Sequence, residues 1–292
     1  MNTAGRSLMN VVQLVCLLTV VWLSISSGSI LVLLSGAPAE ACAFWRLLLS
    51  VPLLYLIDTL QGGPTPPRIR PHHIVSGVSL ALHFVFWMRS LFIIPVYIST
   101  LLVAVYPFYS LLIEVIAYRR RLPLMQFVGF LACTLLLAMY LGVHELVFNV
   151  GVIEAMVAGF MVAVYFEVGS YARYKLKEPT TKYAISTYLV AALFVALFAG
   201  MLGVSLLYYE PVKYVFFVAL AVVPMILGHT LINYMLGKYP ASIATSIGYG
   251  EPFGAGLLAY LLLKQEISPT HIVFGILIIV TVFITVTTLY EE

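Results

Sequence analysis

Charge is scarce in this chain. Of its 292 residues, only 9% are Asp, Glu, Lys or Arg, against about 25% in a soluble domain. So few charges cannot cover a water-soluble body of this size. The 62% of apolar residues and a mean hydropathy of +1.06 point to hydrocarbon as the natural solvent. Cysteine is also sparse: Cys16, Cys42 and Cys133 lie in apolar stretches with no CxxC spacing, which argues against a disulfide framework or a zinc site. Such thiols behave as small hydrophobes. There is no Walker A phosphate loop, so the chain is not expected to be an ATP-driven pump in its own right. HExxH and Gly-x-Ser-x-Gly are missing too, and the His72-His73 pair reads as standing alone in a loop. No catalytic residue, metal or cofactor is therefore expected. The formal net charge of +3 is small for a nucleic-acid binder, and no nucleic-acid partner is expected.

What the chain does have is long apolar runs. A spanning helix needs about 20 such residues. Runs at 8–33, 40–59, 72–93, 96–118, 123–142, 150–172, 182–208, 212–236, 240–263 and 268–289 predict an all-α integral membrane protein of ten transmembrane helices. The breaks follow turn chemistry at Gly36-Ala37-Pro38, in the Gly62-to-Pro67 loop and at Glu210-Pro211. The first run extends past a signal-peptide core and reads as an uncleaved helix. With ten spans, both termini share a face with Arg6, Arg68, Arg70, Arg119, Arg120, Arg121, Arg173, Lys175, Lys177, Lys182 and Lys238, while Lys213 and Lys264 lie opposite. The positive-inside rule then puts both termini in the cytoplasm of a multi-pass cell-membrane protein. The basic clusters also make membrane lipids an expected partner.

A repeat runs through the chain at an offset of 145. Pro95 matches Pro240, Ile98 matches Ile243, Thr100 matches Thr245, and Pro107-Phe108 matches Pro252-Phe253. Residues 1–145 and 146–292 then form two five-helix repeats. Five is odd, so the second is inverted in the membrane, as in many secondary transporters whose site lies at the midplane between repeats.

Polar groups at membrane depth are costly and mark candidate function. Helical rise places Trp22, His83, Tyr106 and Glu251 near the middle of their runs, with Arg46 and His229 about 4–6 Å away. Glu251 stands in Gly248-Tyr249-Gly250-Glu251-Pro252-Phe253-Gly254. Pro252, like Pro107, predicts a kink or hinge, and the glycines allow close approach of a ligand or a neighbouring helix. His229 and Asn233 share a face, which suits cavity lining and interhelical packing equally. Ser242, Thr245 and Tyr249 form a second stripe; Trp22, Ser26 and Ser29 form a third. Glu114 and Glu154 read as interfacial, and Arg89 as close enough to a helix end to snorkel.

Together these residues resemble the drug/metabolite transporter superfamily, specifically its EamA-type members. The resemblance rests on Trp22, the stretch from Ala37-Pro38 to Arg46-Leu47, Ala81 to Leu91, Pro107, Gly228 to Tyr234, Pro240-Ala241-Ser242 and Glu251-Pro252. It departs at Arg119-Arg120-Arg121, where members usually carry Gly-Glu, and at Glu266, which sits about one position late. It implies alternating access without ATP and a central cavity shared by both halves. It also implies a small-molecule substrate (an amino acid, other metabolite or drug), often moved outward. The substrate-pathway candidates are Trp22, Arg46, His83, Tyr106, His229, Asn233, Tyr249 and Glu251, with protons as a candidate coupling ion through Glu251 or His229. The competing reading is a membrane-embedded enzyme acting on a lipid-linked or apolar substrate. Oligomeric state is not legible.

Overall fold

The computed structural model describes residues 3–62, 66–142, 148–264, 266 and 268–287. Among them the chain is all-helical, with no strand. A first helical run comprises α1 (Thr3–Ser26) and α2 (Gly28–Ser35), parted by a turn at Ser27. Then follow α3 (Ala39–Leu60), α4 (Pro71–Ser90), α5 (Val96–Val103), α6 (Tyr106–Ile116) and α7 (Leu124–Gly142). The remainder comprises α8 (Val150–Ser170), α9 (Thr180–Leu202), α10 (Pro211–Leu220), α11 (Leu231–Met235), α12 (Ala241–Thr245), α13 (Glu251–Leu263) and α14 (Pro269–Thr287). Helix α8 continues as a π-helical turn, Tyr171–Lys175, and a π-helical stretch, Ala221–Thr230, joins α10 to α11.

The helix ends follow local chemistry. Gly36 ends α2 in the left-handed region (φ 56°), and its N–H bonds the Leu33 carbonyl. Asn149 caps α8, its side chain accepting from the N–H groups of Gly151 and Val152. Pro71 and Pro211 occupy first-turn positions, where the missing N–H has no intrahelical partner to lose. The run expected at 182–208 is shorter than predicted. Gly203 closes α9 at φ 69°, its N–H reaching the Ala199 and Gly200 carbonyls.

Among the described residues, eight segments are long and apolar enough to cross a membrane, so the chain is a multi-pass membrane protein. The two other runs counted as crossings from the sequence are α4 and the α12–α13 run. His72, His73, His83 and Arg89 dilute the hydropathy of α4, and a 3-10 turn, Ser246–Gly250, breaks the α12–α13 run. The expected repeat boundary at 145/146, the Gly63-Pro64-Thr65 loop and the end of the last helix at 289 lie outside the described residues.

Packing brings distant segments together. Helix α3 lies against α9, α4 against α8 and α9, and α1 against the π-helical stretch before α11. Helices α6 and α12 pair, as do α7 and α14. The core is one continuous apolar cluster, and among the described residues Arg46 is the largest fully buried side chain.

Candidate functional site

The site is built around two breaks at matching places. One run stops at Val103 and restarts at Tyr106, one residue before Pro107. The other stops at Thr245, passes through the 3-10 turn and restarts at Glu251, one residue before Pro252. Proline at the second position of each new helix needs no N–H partner. The Gly248 carbonyl, which Pro252 cannot bond, instead accepts the Glu251 N–H across the tightened turn.

The glycines around Glu251 serve close approach between helices. A Cβ on Gly248 would sit 2.1 Å from the Tyr106 Oη. One on Gly254 would sit 2.1 Å from the Ser26 Oγ, and one on Gly250 would sit 3.0 Å from the Trp22 Nε1. Trp22 donates to the Gly250 carbonyl at 2.8 Å, and Ser26 to the Glu251 carbonyl at 3.4 Å. These bonds seat α1 against the break and leave the Glu251 side chain facing inward.

Inward lies a small cavity of about 20 Å³, room for about one water. Its polar lining is Arg46, His83, Trp87, Tyr106, His229 and Glu251; Ile25, Val103, Val162, Phe166 and Ile232 complete it. The Arg46 guanidinium lies 4.1 Å from the Phe84 ring centroid, a cation–π contact. Its Nε donates to the Met225 sulfur at 3.4 Å, while its Nη1 is buried with no hydrogen-bond partner. No carboxylate lies within 4.0 Å of Arg46 among the described residues. Glu251 therefore shares the cavity with Arg46 without forming a direct ion pair.

The histidines form an aromatic wall. His83 donates from Nδ1 to the Ala158 carbonyl at 3.0 Å and stacks on Trp87. His229 stacks on Phe166 and lies 5.9 Å from His83 between ring centroids. The Nδ1 of His229 and the Nε1 of Trp87 are both buried and unpartnered. Unsatisfied polar atoms in a buried wall are few in native structures and call for an explanation.

Five of the eight pathway candidates, Arg46, His83, Tyr106, His229 and Glu251, line this cavity. Three lie elsewhere. Trp22 faces an apolar groove between α1 and α14 while bonding Gly250. Asn233 donates to the Tyr165 hydroxyl at 2.5 Å. Tyr249 points the other way, hydrogen-bonding with Thr134 at 2.9 Å and donating to the Phe130 carbonyl at 3.3 Å. Trp87 and Phe166 were not among the eight. Trp87 carried a signal, its i, i+4 spacing from His83; Phe166 is an apolar residue on an apolar helix and carried none.

Two charged networks lie at the helix ends. Arg89 on α4 bridges Glu40 of α3 (3.3 Å) and Glu154 of α8 (3.1 Å), so it is paired instead of free to snorkel. Arg120 pairs with Glu114 and reaches the Gln126 Oε1 at 3.2 Å. Glu114 also accepts from the Ser242 N–H (3.0 Å) and hydroxyl (2.7 Å), tying α6 to the start of α12. Both Glu114 and Glu154 are buried. Beside Glu114, Glu167 lines a separate pocket with Tyr118 and Lys175.

His72 and His73 are not alone in a loop. They open α4 and meet the Glu178 carboxylate at 2.9 and 3.2 Å. The three offer a metal-like set of donor atoms. However, the His73 Nδ1 accepts the Arg70 N–H at 3.0 Å, so Nε2 carries the proton and donates to Glu178. In that tautomer the group is a hydrogen-bonded clamp between α4 and the segment before α9. Burial pushes the Glu178 carboxyl up, but the bonds from His73 and His72 outweigh it and hold the group below the usual carboxylate range.

Helices long enough to cross a membrane, enclosing a small polar cavity, define a polytopic α-helical membrane protein. Residues 149–287 match the family model of the EamA-like transporter family, as the sequence resemblance anticipated. A solved structure described only as a crystal structure of a protein superposes with a TM-score of 0.78 at 17% identity. The match covers 96% of this chain and 98% of that one and shows the shared fold. No curated protein matches the sequence.

Proposed function

We propose that the protein is a secondary transporter that moves a small zwitterionic metabolite, of the amino-acid kind, across the cell membrane by alternating access. On this reading residues 1–145 and 146–292 are inverted five-helix repeats making ten crossings, with both termini cytoplasmic. The matched breaks before Pro107 and Pro252, at the 145-residue offset, support it. So does the packing: α3 with α9 and α7 with α14 each join equivalent members of the two repeats, α6 on α12 mirrors α13 on α5, and α1 on the stretch before α11 mirrors α8 on α4.

The observation that carries the proposal is the pairing of a buried, partly unbonded Arg46 with Glu251 across a cavity that keeps them apart. A buried charge is costly unless it is paired, and a solute bearing a carboxylate and an ammonium would satisfy both groups at once. Trp87 and Phe166 would enclose its apolar part. At about 20 Å³, the cavity represents an occluded conformation that must expand to load. Glu251 or His229 would carry a coupling proton if transport is proton-linked, and export is the direction that the family resemblance favours. Flux of zwitterionic solutes into proteoliposomes, with and without a pH gradient, tests the reading. A wild-type protein that moves none of a broad amino-acid panel would sink it.

A further inference from the structure

Away from the central cavity, a second pocket of about 450 Å³ opens between residues 66–70, just ahead of α4, and the segment joining the π-helical turn after α8 to α9. Its charged lining is Arg68, Arg70, Lys177, Lys182 and Glu178, with the buried Ser186 among the other lining residues. Four cations thus face one carboxylate. That carboxylate is already engaged, since His72 and His73 hold it at 2.9 and 3.2 Å. The other nearby acid, Asp58, accepts from the Thr181 hydroxyl at 2.6 Å and does not line the pocket. Among the described residues, Arg68, Arg70 and Lys182 have no carboxylate within 4.0 Å. Lys177 rests on the Tyr174 ring. The N-termini of α4 and α9, of 20 and 23 residues, also end at this pocket and add positive potential.

Basic residues at this end of the bundle would set topology wherever they stood. Topology does not require them to converge on a concave site whose acid is held by histidines. The geometry points to a binding site for a phosphoryl anion, either free or as the headgroup of an anionic lipid. Arginine supplies the planar fork that phosphate oxygens accept from in pairs, and the volume accommodates a phosphorylated headgroup. The site is separate from the transport cavity and does not depend on the transport reading.

The test uses the full chain purified in neutral detergent. Inorganic phosphate and glycerol phosphate are titrated in one arm. In the other, retention of phosphatidylglycerol is compared with phosphatidylcholine by native mass spectrometry. Saturable binding of phosphate assigns a free anion; retention of phosphatidylglycerol alone assigns a headgroup. Arg70→Gln/Lys182→Gln is expected to weaken either by about twenty-five-fold, two cations each contributing about five-fold near an anionic group. Lys264→Gln, an exposed cation beyond α13, is expected to change nothing. If the double variant aggregates, Arg68→Gln alone is read, with about a five-fold loss expected. Failure of the wild type to bind either probe saturably would overturn the proposal, as would an equal loss in Lys264→Gln.

Discussion

Replacing Gly248 with alanine puts a methyl group where Tyr106 already lies. The new Cβ would stand 2.1 Å from the Tyr106 Oη, 2.2 Å from Cζ and 2.6 Å from Cε1, where ordinary contact begins at 3.4 Å. The ring must withdraw by about 1 Å or the two broken helices must part. On its other side is a cavity of only about 20 Å³, which cannot absorb a displaced phenol ring. Overpacking of this kind costs about 1–3 kcal/mol. Gly200 in α9 supplies the control, because a Cβ there meets nothing within 4 Å. Gly200→Ala should be neutral or gain about 0.5–1 kcal/mol from helix propensity. Reversible unfolding in mixed micelles would measure both. Tyr106→Ala should partly rescue Gly248→Ala, with a coupling of about 1 kcal/mol or more between the two changes. Equal stability of the two glycine variants, or strict additivity of Gly248→Ala and Tyr106→Ala, would refute this packing.

The other predictions concern the contacts around the site. Trp22→Phe removes the donor to the Gly250 carbonyl and should cost about 0.6–2 kcal/mol in the same unfolding assay; no loss would mean that the bond does not hold α1 to the break. Arg120→Gln strips Glu114 of its cation and loosens α6 from α12. A thiol at Ser170→Cys, in the pocket beside Glu167, should then label faster with a maleimide, and an unchanged rate would deny the Arg120 pair a closing role. Glu178→Gln should destabilise the chain at neutral pH. Because the native carboxyl lies below its ordinary value, the stability it adds is present above the unfolded pKa of about 4.3 and fades as pH falls through the folded value. The gap between wild type and variant should therefore narrow in acid; a gap that widens there would reverse the assigned direction.

The helical character of the chain was readable because hydrocarbon leaves so few options: every backbone polar group must be satisfied within a segment, and the apolar runs mark those segments. Pro107 and Pro252 marked the two breaks for the same reason, since proline removes a donor wherever it falls. Side-chain direction was harder to read. Tyr249 and Glu251 are two residues apart in one glycine-rich stretch, yet the 3-10 turn sends Tyr249 to Thr134 and Glu251 to the cavity. Residues two apart on a helix lie about 200° from one another, so a helical wheel already separates the two side chains; grouping them by membrane depth does not. Asn233 shares a face with His229 but is taken up by Tyr165, a residue of another helix. The His72-His73 pair was visible, but its partner Glu178 was not, because it stands 105 or more positions from them. Glu114 and Glu154 looked interfacial from their places near helix ends; their arginine partners account for their burial.

The central claim is that Arg46 and Glu251 receive the two ends of a zwitterionic solute. Flux into proteoliposomes tests it most directly, comparing an amino-acid solute found to be moved with its amide and its N-acyl analogue, in wild type, Arg46→Gln and Glu251→Gln. The predicted result is that wild type prefers the zwitterion by at least about ten-fold. Arg46→Gln should lose the preference over the amide, and Glu251→Gln the preference over the N-acyl analogue, each change removing one partner of a buried charge contact. Equal flux of all three solutes in wild type, or preferences unchanged in both variants, would contradict it.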